Sequence, residues 1–138
     1  MNLAKKIFVL LFATSMFVFT SCEKDDDNTN EVIRVENLLI SKQWNFERAV
    51  GVDGTPDAIV EAALAGSYYN FSDDGTLTLF KNGVSQPGTW SLASDAKTLT
   101  ITSNDVTIVW TVVSITSSNM TWQYATGTST NQIQYFYN

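Results

Sequence analysis

The stretch YYNFSDDGTLTLFKNG, residues 68–83, contains the pattern that decides the fold. Tyr68 to Ser72 and Thr76 to Lys81 are short runs rich in aromatic, Leu and Thr side chains, and in the second Leu77 and Leu79 alternate with Thr76 and Thr78. A period of two puts one face of a strand in a core and the other in water. Between and after the runs stand Asp73-Asp74-Gly75 and Asn82-Gly83. Asp-Gly and Asn-Gly supply the positive φ that tight hairpin turns require, so these sixteen residues predict two antiparallel strands and the start of a third.

Towards the C-terminus the same cadence repeats. Gly88 to Leu92, Thr98 to Ser103, Val106 to Ile115, Met120 to Tyr124 and Gln132 to Tyr137 are strand-like. They are separated by Ser94-Asp95-Ala96-Lys97, Asn104-Asp105, Ser117-Ser118-Asn119 and a loop centred on Gly127. Towards the N-terminus, Lys42 to Val50 reads as a first strand, and Asp57 to Leu64 as a short Ala-rich helix ended by Gly66. Glu31 to Leu39 carries Val32, Ile33, Val35, Leu38 and Leu39 at a spacing that suits a short amphipathic helix capping one end. The expectation is an all-β domain: a small eight-stranded antiparallel up-and-down barrel, with one short N-terminal helix and another between strands 1 and 2. Closure removes the unpaired edges that a short-turned meander leaves, and an open, curled sheet is the alternative.

Leu77, Leu79, Trp90, Leu92, Leu99, Ile101, Ile108, Trp110, Val112, Met120, Trp122 and Tyr124 fall on one face of these strands. Trp90, Trp110, Trp122 and Tyr124 could line a pocket for a small hydrophobic ligand. They could equally be packed core, since bulky side chains nearly fill a shallow barrel. Most of the strands have five or six residues, against the 9 to 11 of a membrane-spanning barrel.

The chain opens with Lys5 and Lys6, a hydrophobic run from Ile7 to Phe19, and small residues Thr20 and Ser21 before Cys22. That is the layout of a cleavable secretory signal over residues 1–21. The run is too short for a spanning helix, which needs about 20 apolar residues. Phe19-Thr20-Ser21-Cys22 resembles the lipobox of bacterial lipoproteins, with Phe19 where Leu is commoner. The resemblance implies acylation of Cys22, palmitate among the acyl chains, and anchoring without spanning. Glu23, Lys24, Asp25, Asp26 and Asp27 resemble the acidic signal that sends some Gram-negative lipoproteins to the outer face of the outer membrane. On residue type alone, 22–30 is an acidic flexible tether ahead of a domain at 31–138.

The precursor carries a formal charge of −6. Loss of Lys5 and Lys6 with the leader leaves six basic residues against fourteen acidic ones, a net charge of −8. Such a surface repels nucleic acid. There is no His and a single Cys, so a disulfide framework, a Ser-His pair and a Cys/His zinc site are excluded. Paired carboxylates for glycoside hydrolysis would have to come from Asp73, Asp74, Asp95 and Asp105, all in expected turns where Asp serves turn geometry. Gly75, Gly83 and Gly88 read as turn residues, not as a phosphate loop. A non-enzyme without metal or cofactor is expected.

Leu39-Ile40-Ser41-Lys42-Gln43-Trp44 places a Leu and a Trp at the head of the first strand. With residues 68–77 and Gly88-Thr89-Trp90-Ser91-Leu92, it resembles small lipocalin-like lipoproteins from about Leu38 to Asn138, although the Gly usual between that Leu and Trp is absent. The resemblance implies a barrel that binds a small hydrophobic molecule, with the 57–64 segment as a lid and Trp44 as a structural residue at the barrel floor. The alternative is a structural or interaction lipoprotein of the envelope with a filled barrel and an unidentified protein partner.

Overall fold

The structure is a computed structural model that describes residues 26–51, 55–126 and 129–138. The expected signal peptide, Cys22 and Glu23 to Asp25 lie outside the described residues. In chain order the elements are α1 (Asp26–Ile40), β1 (Gln43–Val50), α2 (Asp57–Leu64), β2 (Tyr68–Phe71), β3 (Thr76–Lys81), β4 (Val84–Leu92), β5 (Thr98–Ser103), β6 (Val106–Ile115), β7 (Asn119–Thr126) and β8 (Ser129–Tyr137). Each strand pairs antiparallel with the next, and β8 returns to β1 through pairs such as Phe46 with Phe136 and Ala49 with Gln134. The barrel is closed, and every described element shares one core.

The turns behave as their residue types demand. Lys81 pairs with Val84 across a two-residue turn with Asn82 at φ 53° and Gly83 at φ 78°. Ser103 pairs with Val106 across Asn104 and Asp105, at φ 50° and 62°. Positive φ at both central residues is the twist that matches antiparallel strands. Asp74 and Asp95 hold their turns by side chain. The Asp74 carboxylate accepts from the backbone N–H and the hydroxyl of Thr76 at 2.9 and 2.6 Å. The Asp95 carboxylate accepts from Lys97 N and Thr98 N, both at 2.8 Å, and from the Thr98 hydroxyl at 2.6 Å.

Three expectations need correction. Gly88 is not a turn residue: β4 begins at Val84, and Gly88 sits mid-strand opposite Leu77 and Ser103. A Cβ there would lie 2.5 Å from the Thr102 carbonyl oxygen, so a bare backbone is what lets β4 and β5 approach. The N-terminal helix begins at Asp26 instead of Glu31, which takes Asp26 to Asn30 out of the expected tether. Negative charge at a helix N-terminus is favoured by the helix dipole, and Arg34 reaches back one turn to Glu31 in a two-point pair. The last strand begins at Ser129.

α1 plugs one end of the barrel. Val35 and Leu39, one turn apart, are buried at that end, and Trp44 is fully buried beside them. The indole Nε1 of Trp44 donates to the Leu39 carbonyl oxygen at 3.1 Å, closing one of the helix's free C-terminal acceptors. The Lys42 ammonium ties the same end to the Ser117 carbonyl oxygen. Above this plug the barrel is filled across its waist by Trp122, Phe136 and Trp110. Trp122 meets Phe136 edge-on at 4.5 Å between ring centroids and stacks on Trp110 at 4.8 Å. The Trp122 indole N–H donates to Gln134 Oε1 at 3.0 Å, so the buried Gln134 amide oxygen in the barrel wall is paired.

Candidate ligand pocket at the open end

Away from the plug the barrel is not filled. A cavity of about 450 Å³ lies between the aromatic waist and α2, within the range of small-molecule pockets. Trp110 and Tyr124 form one wall, Tyr69, Leu79 and Ile108 line the strands, and Val60 and Leu64 of α2 form the roof. These residues are where the alternation of the strands puts them. Leu79 opposes Tyr69 across β2 and β3, and Ile108, Trp110 and Tyr124 are the mouth-ward inward residues of β6 and β7.

The roof is lightly secured. α2 has no fully buried residue, no side-chain cap at its N-terminus, and leaves Ile59 60% exposed. Its apolar residues Val60 and Leu64 are only partly covered, so little burial opposes its displacement. At its end the chain is held by Ser67 N donating to the Leu64 carbonyl oxygen at 2.9 Å, and by Phe46 N donating to the Ser67 carbonyl oxygen at 2.9 Å.

Four polar side chains line this cavity besides the aromatic hydroxyls: Thr55, Ser67, Lys81 and Gln134. Gln134 Oε1 is engaged by Trp122, whereas the Ser67 hydroxyl is buried without a hydrogen-bond partner. The Tyr69 phenol is pushed up to about 12 by burial, so it stays protonated and a donor at any physiological pH.

Of the four aromatics expected to contact ligand, the structure brings two to the cavity. Trp110 and Tyr124 line it, with ring centroids 5.5 Å apart. Trp122 has no exposed surface and forms the packing beneath. Trp90 is at the opposite end, a correction with a simple cause: β4 runs from the mouth at Val84 to the plugged end at Leu92, so Trp90 near its finish cannot reach the mouth. Its indole N–H donates to the Ser72 carbonyl oxygen at 2.9 Å and its ring meets Phe71 edge-on. Beside it a surface groove is lined by Glu36, Asn37, Ile40 and Asp73. The carboxylates considered for hydrolysis are not assembled. Asp74 and Asp95 are committed to turns, and Asp105 stands at the other end of the barrel from Asp73.

The sequence pattern of the lipocalin-like domain matches residues 40–122, more than half of the chain. The chain belongs to the lipocalin-like domain family. A solved DUF4847 family protein from Bacteroides vulgatus ATCC 8482 has the same fold, with a TM-score of 0.53 over 75% of this chain and 97% of that one. The two are 17% identical, a likeness of fold alone. No curated protein matches the sequence. In a lipocalin-like barrel the open end is the expected place for a ligand, and here that end carries the cavity while α1 closes the other.

Ser67, Tyr69, Lys81 and Gln134 escaped the reading of the sequence as site residues. Tyr69 and Lys81 share the inward parity of Phe71, Leu77 and Leu79 and could have been placed by continuing that alternation. Ser67 lies before the strand begins, and Gln134 is a polar residue on a face otherwise recognised by its apolar ones.

Proposed function

We propose that this protein is a membrane-anchored lipocalin-like lipoprotein that binds a small hydrophobic ligand between the barrel mouth and α2. The observation that carries this reading is the aromatic-walled cavity of about 450 Å³ under a helix with no buried residue of its own. Tyr69, Leu79, Ile108 and Tyr124 are only partly buried, and their remaining surface is one that a bound apolar molecule would dehydrate. Proteins of this family are generally non-enzymatic binders, and the scattered turn carboxylates suit that role.

Native mass spectrometry of the chain from Glu23 onward, with its Trp fluorescence titrated by hydrophobic compounds, tests the binding. A retained mass or a saturable response supports a carrier or sensor; a bare mass with flat fluorescence throughout removes it. The anchor rests on Cys22 and the residues around it. Metabolic labelling with palmitate should mark the native protein and not the Cys22→Ala variant. Surface exposure rests on Glu23 to Asp27 and is read by protease accessibility in intact cells, which alanine at Asp25, Asp26 and Asp27 should abolish.

A second reading, a structural or interaction lipoprotein of the envelope, is favoured by Val109 and Val113. They lie on the outward face of β6, 50% and 55% exposed. Crosslinking in intact membranes that captures a partner through position 109 or 113, with no ligand in the barrel, would favour it over the first.

A further inference from the structure

Ser67 and Lys81 stand on the same side of the cavity mouth. The β2–β3 register pairs Tyr69 with Leu79 and ends with Tyr68 against Phe80, and Ser67 and Lys81 are the next residues along the chain on either side of that last pair. Both residues line the cavity, on the same inward face as Tyr69 and Leu79.

Each lacks a partner that its chemistry calls for. Ser67 is 3% exposed; its N–H and C=O are hydrogen-bonded to Leu64 and Phe46, and its hydroxyl alone is unpartnered. Buried hydroxyls are nearly always satisfied, so an unpartnered one in the lining of a cavity is a donor that a ligand atom can complete. The Lys81 side chain makes no ion pair or hydrogen bond among the described residues. It is the single charged side chain among the described residues that line the cavity, and no carboxylate stands with it. In a chain with fourteen acidic and eight basic residues, a cation alone at the rim of an apolar pocket favours an anionic guest.

We propose that the ligand is an amphiphilic carboxylate, its two oxygens shared between the Lys81 ammonium and the Ser67 hydroxyl and its apolar body lying against Trp110, Tyr124 and the roof formed by Val60 and Leu64. A carboxylate presents two acceptors in one plane, which suits two donors from adjacent strands. The neutral Tyr69 phenol on the same face is a further donor beneath them. This inference rests on the reading of the cavity as a binding site, and the test separates the two.

Decanoate and decan-1-ol, equal in chain length and different in head, are titrated into the chain from Glu23 onward and into Lys81→Met and Ser67→Ala. The expected result is decanoate bound about tenfold more tightly than the alcohol, the lower end of what charge-assisted hydrogen bonds contribute. Lys81→Met should remove that preference by weakening decanoate about tenfold relative to the alcohol. Ser67→Ala should weaken decanoate while raising the thermal midpoint of the unliganded protein, an opposition that a merely structural serine would not show. Equal binding of acid and alcohol, unaffected by Lys81→Met, overturns the carboxylate and leaves the pocket standing. Binding of neither overturns both.

Discussion

Replacing Gly88 by Ala tests how closely the barrel is drawn together. The added Cβ would lie 2.5 Å from the Thr102 carbonyl oxygen, 3.3 Å from the Ser103 Cβ and 3.4 Å from the Leu77 Cγ. The side-chain contacts can yield by a few tenths of an ångström. The carbonyl cannot, because it belongs to β5, whose ladder with β4 runs from Gly88–Ser103 to Leu92–Leu99 and shifts as a unit. Overpacking of this kind costs about 3 kcal/mol, the upper part of the usual range. Loss of glycine's freedom in the unfolded chain returns about 1 kcal/mol. A net loss of about 2 kcal/mol, at a urea slope of about 1.5 kcal/mol/M, lowers the unfolding midpoint by about 1.3 M. Gly83→Ala is the control: φ is 78° but no atom stands within 4 Å of the new Cβ, so backbone strain of about 1 kcal/mol is offset by the same unfolded-state gain and the midpoint should barely move. An unchanged midpoint for Gly88→Ala, or equal losses for the two variants, would refute the steric argument.

Trp44→Phe keeps most of the ring but strands the Leu39 carbonyl oxygen at the plug, and should cost about 1 to 3 kcal/mol by denaturation, with increased amide exchange in α1. In acid, the Thr98 hydroxyl, followed by the Thr98 and Lys97 N–H groups, holds Asp95 at about 2 against an ordinary 3.8. A depressed value means the fold binds the ionised form, so this stabilisation is complete above about pH 4 and is lost as pH falls through 2. Asp95→Asn should therefore show a flatter stability profile than the parent between pH 4 and 2, and parallel profiles would count against the turn's role. Tyr124→Ala should weaken ligand binding at least several-fold with the fold retained, whereas Trp90→Ala should leave affinity unchanged in the same titration. If Trp90→Ala abolishes binding and Tyr124→Ala does not, the site is at the wrong end.

The all-β class, the eight strands and the positions of the turns follow from local chemistry. Asn82-Gly83 and Asp73-Asp74-Gly75 supply their own positive φ at Asn82, Gly83 and Gly75, and the alternation around Leu77 and Leu79 marks the inward face without reference to distant residues. The proposed signal and lipidation site at Cys22 are likewise read from local order along the chain. The division of that inward face into plug, waist and cavity was decided by tertiary structure. Trp90, Trp110 and Trp122 have the same parity and look alike in sequence, yet one sits beside α1, one is buried at the waist and one lines the mouth. Parity says which face a side chain takes, whereas its height along the barrel depends on the strand's direction and stagger after β8 has closed on β1. The β2–β3 hairpin brings Ser67 and Lys81 to the same end by local chemistry, but the cavity that both line exists only once α2 packs over the mouth of the closed barrel.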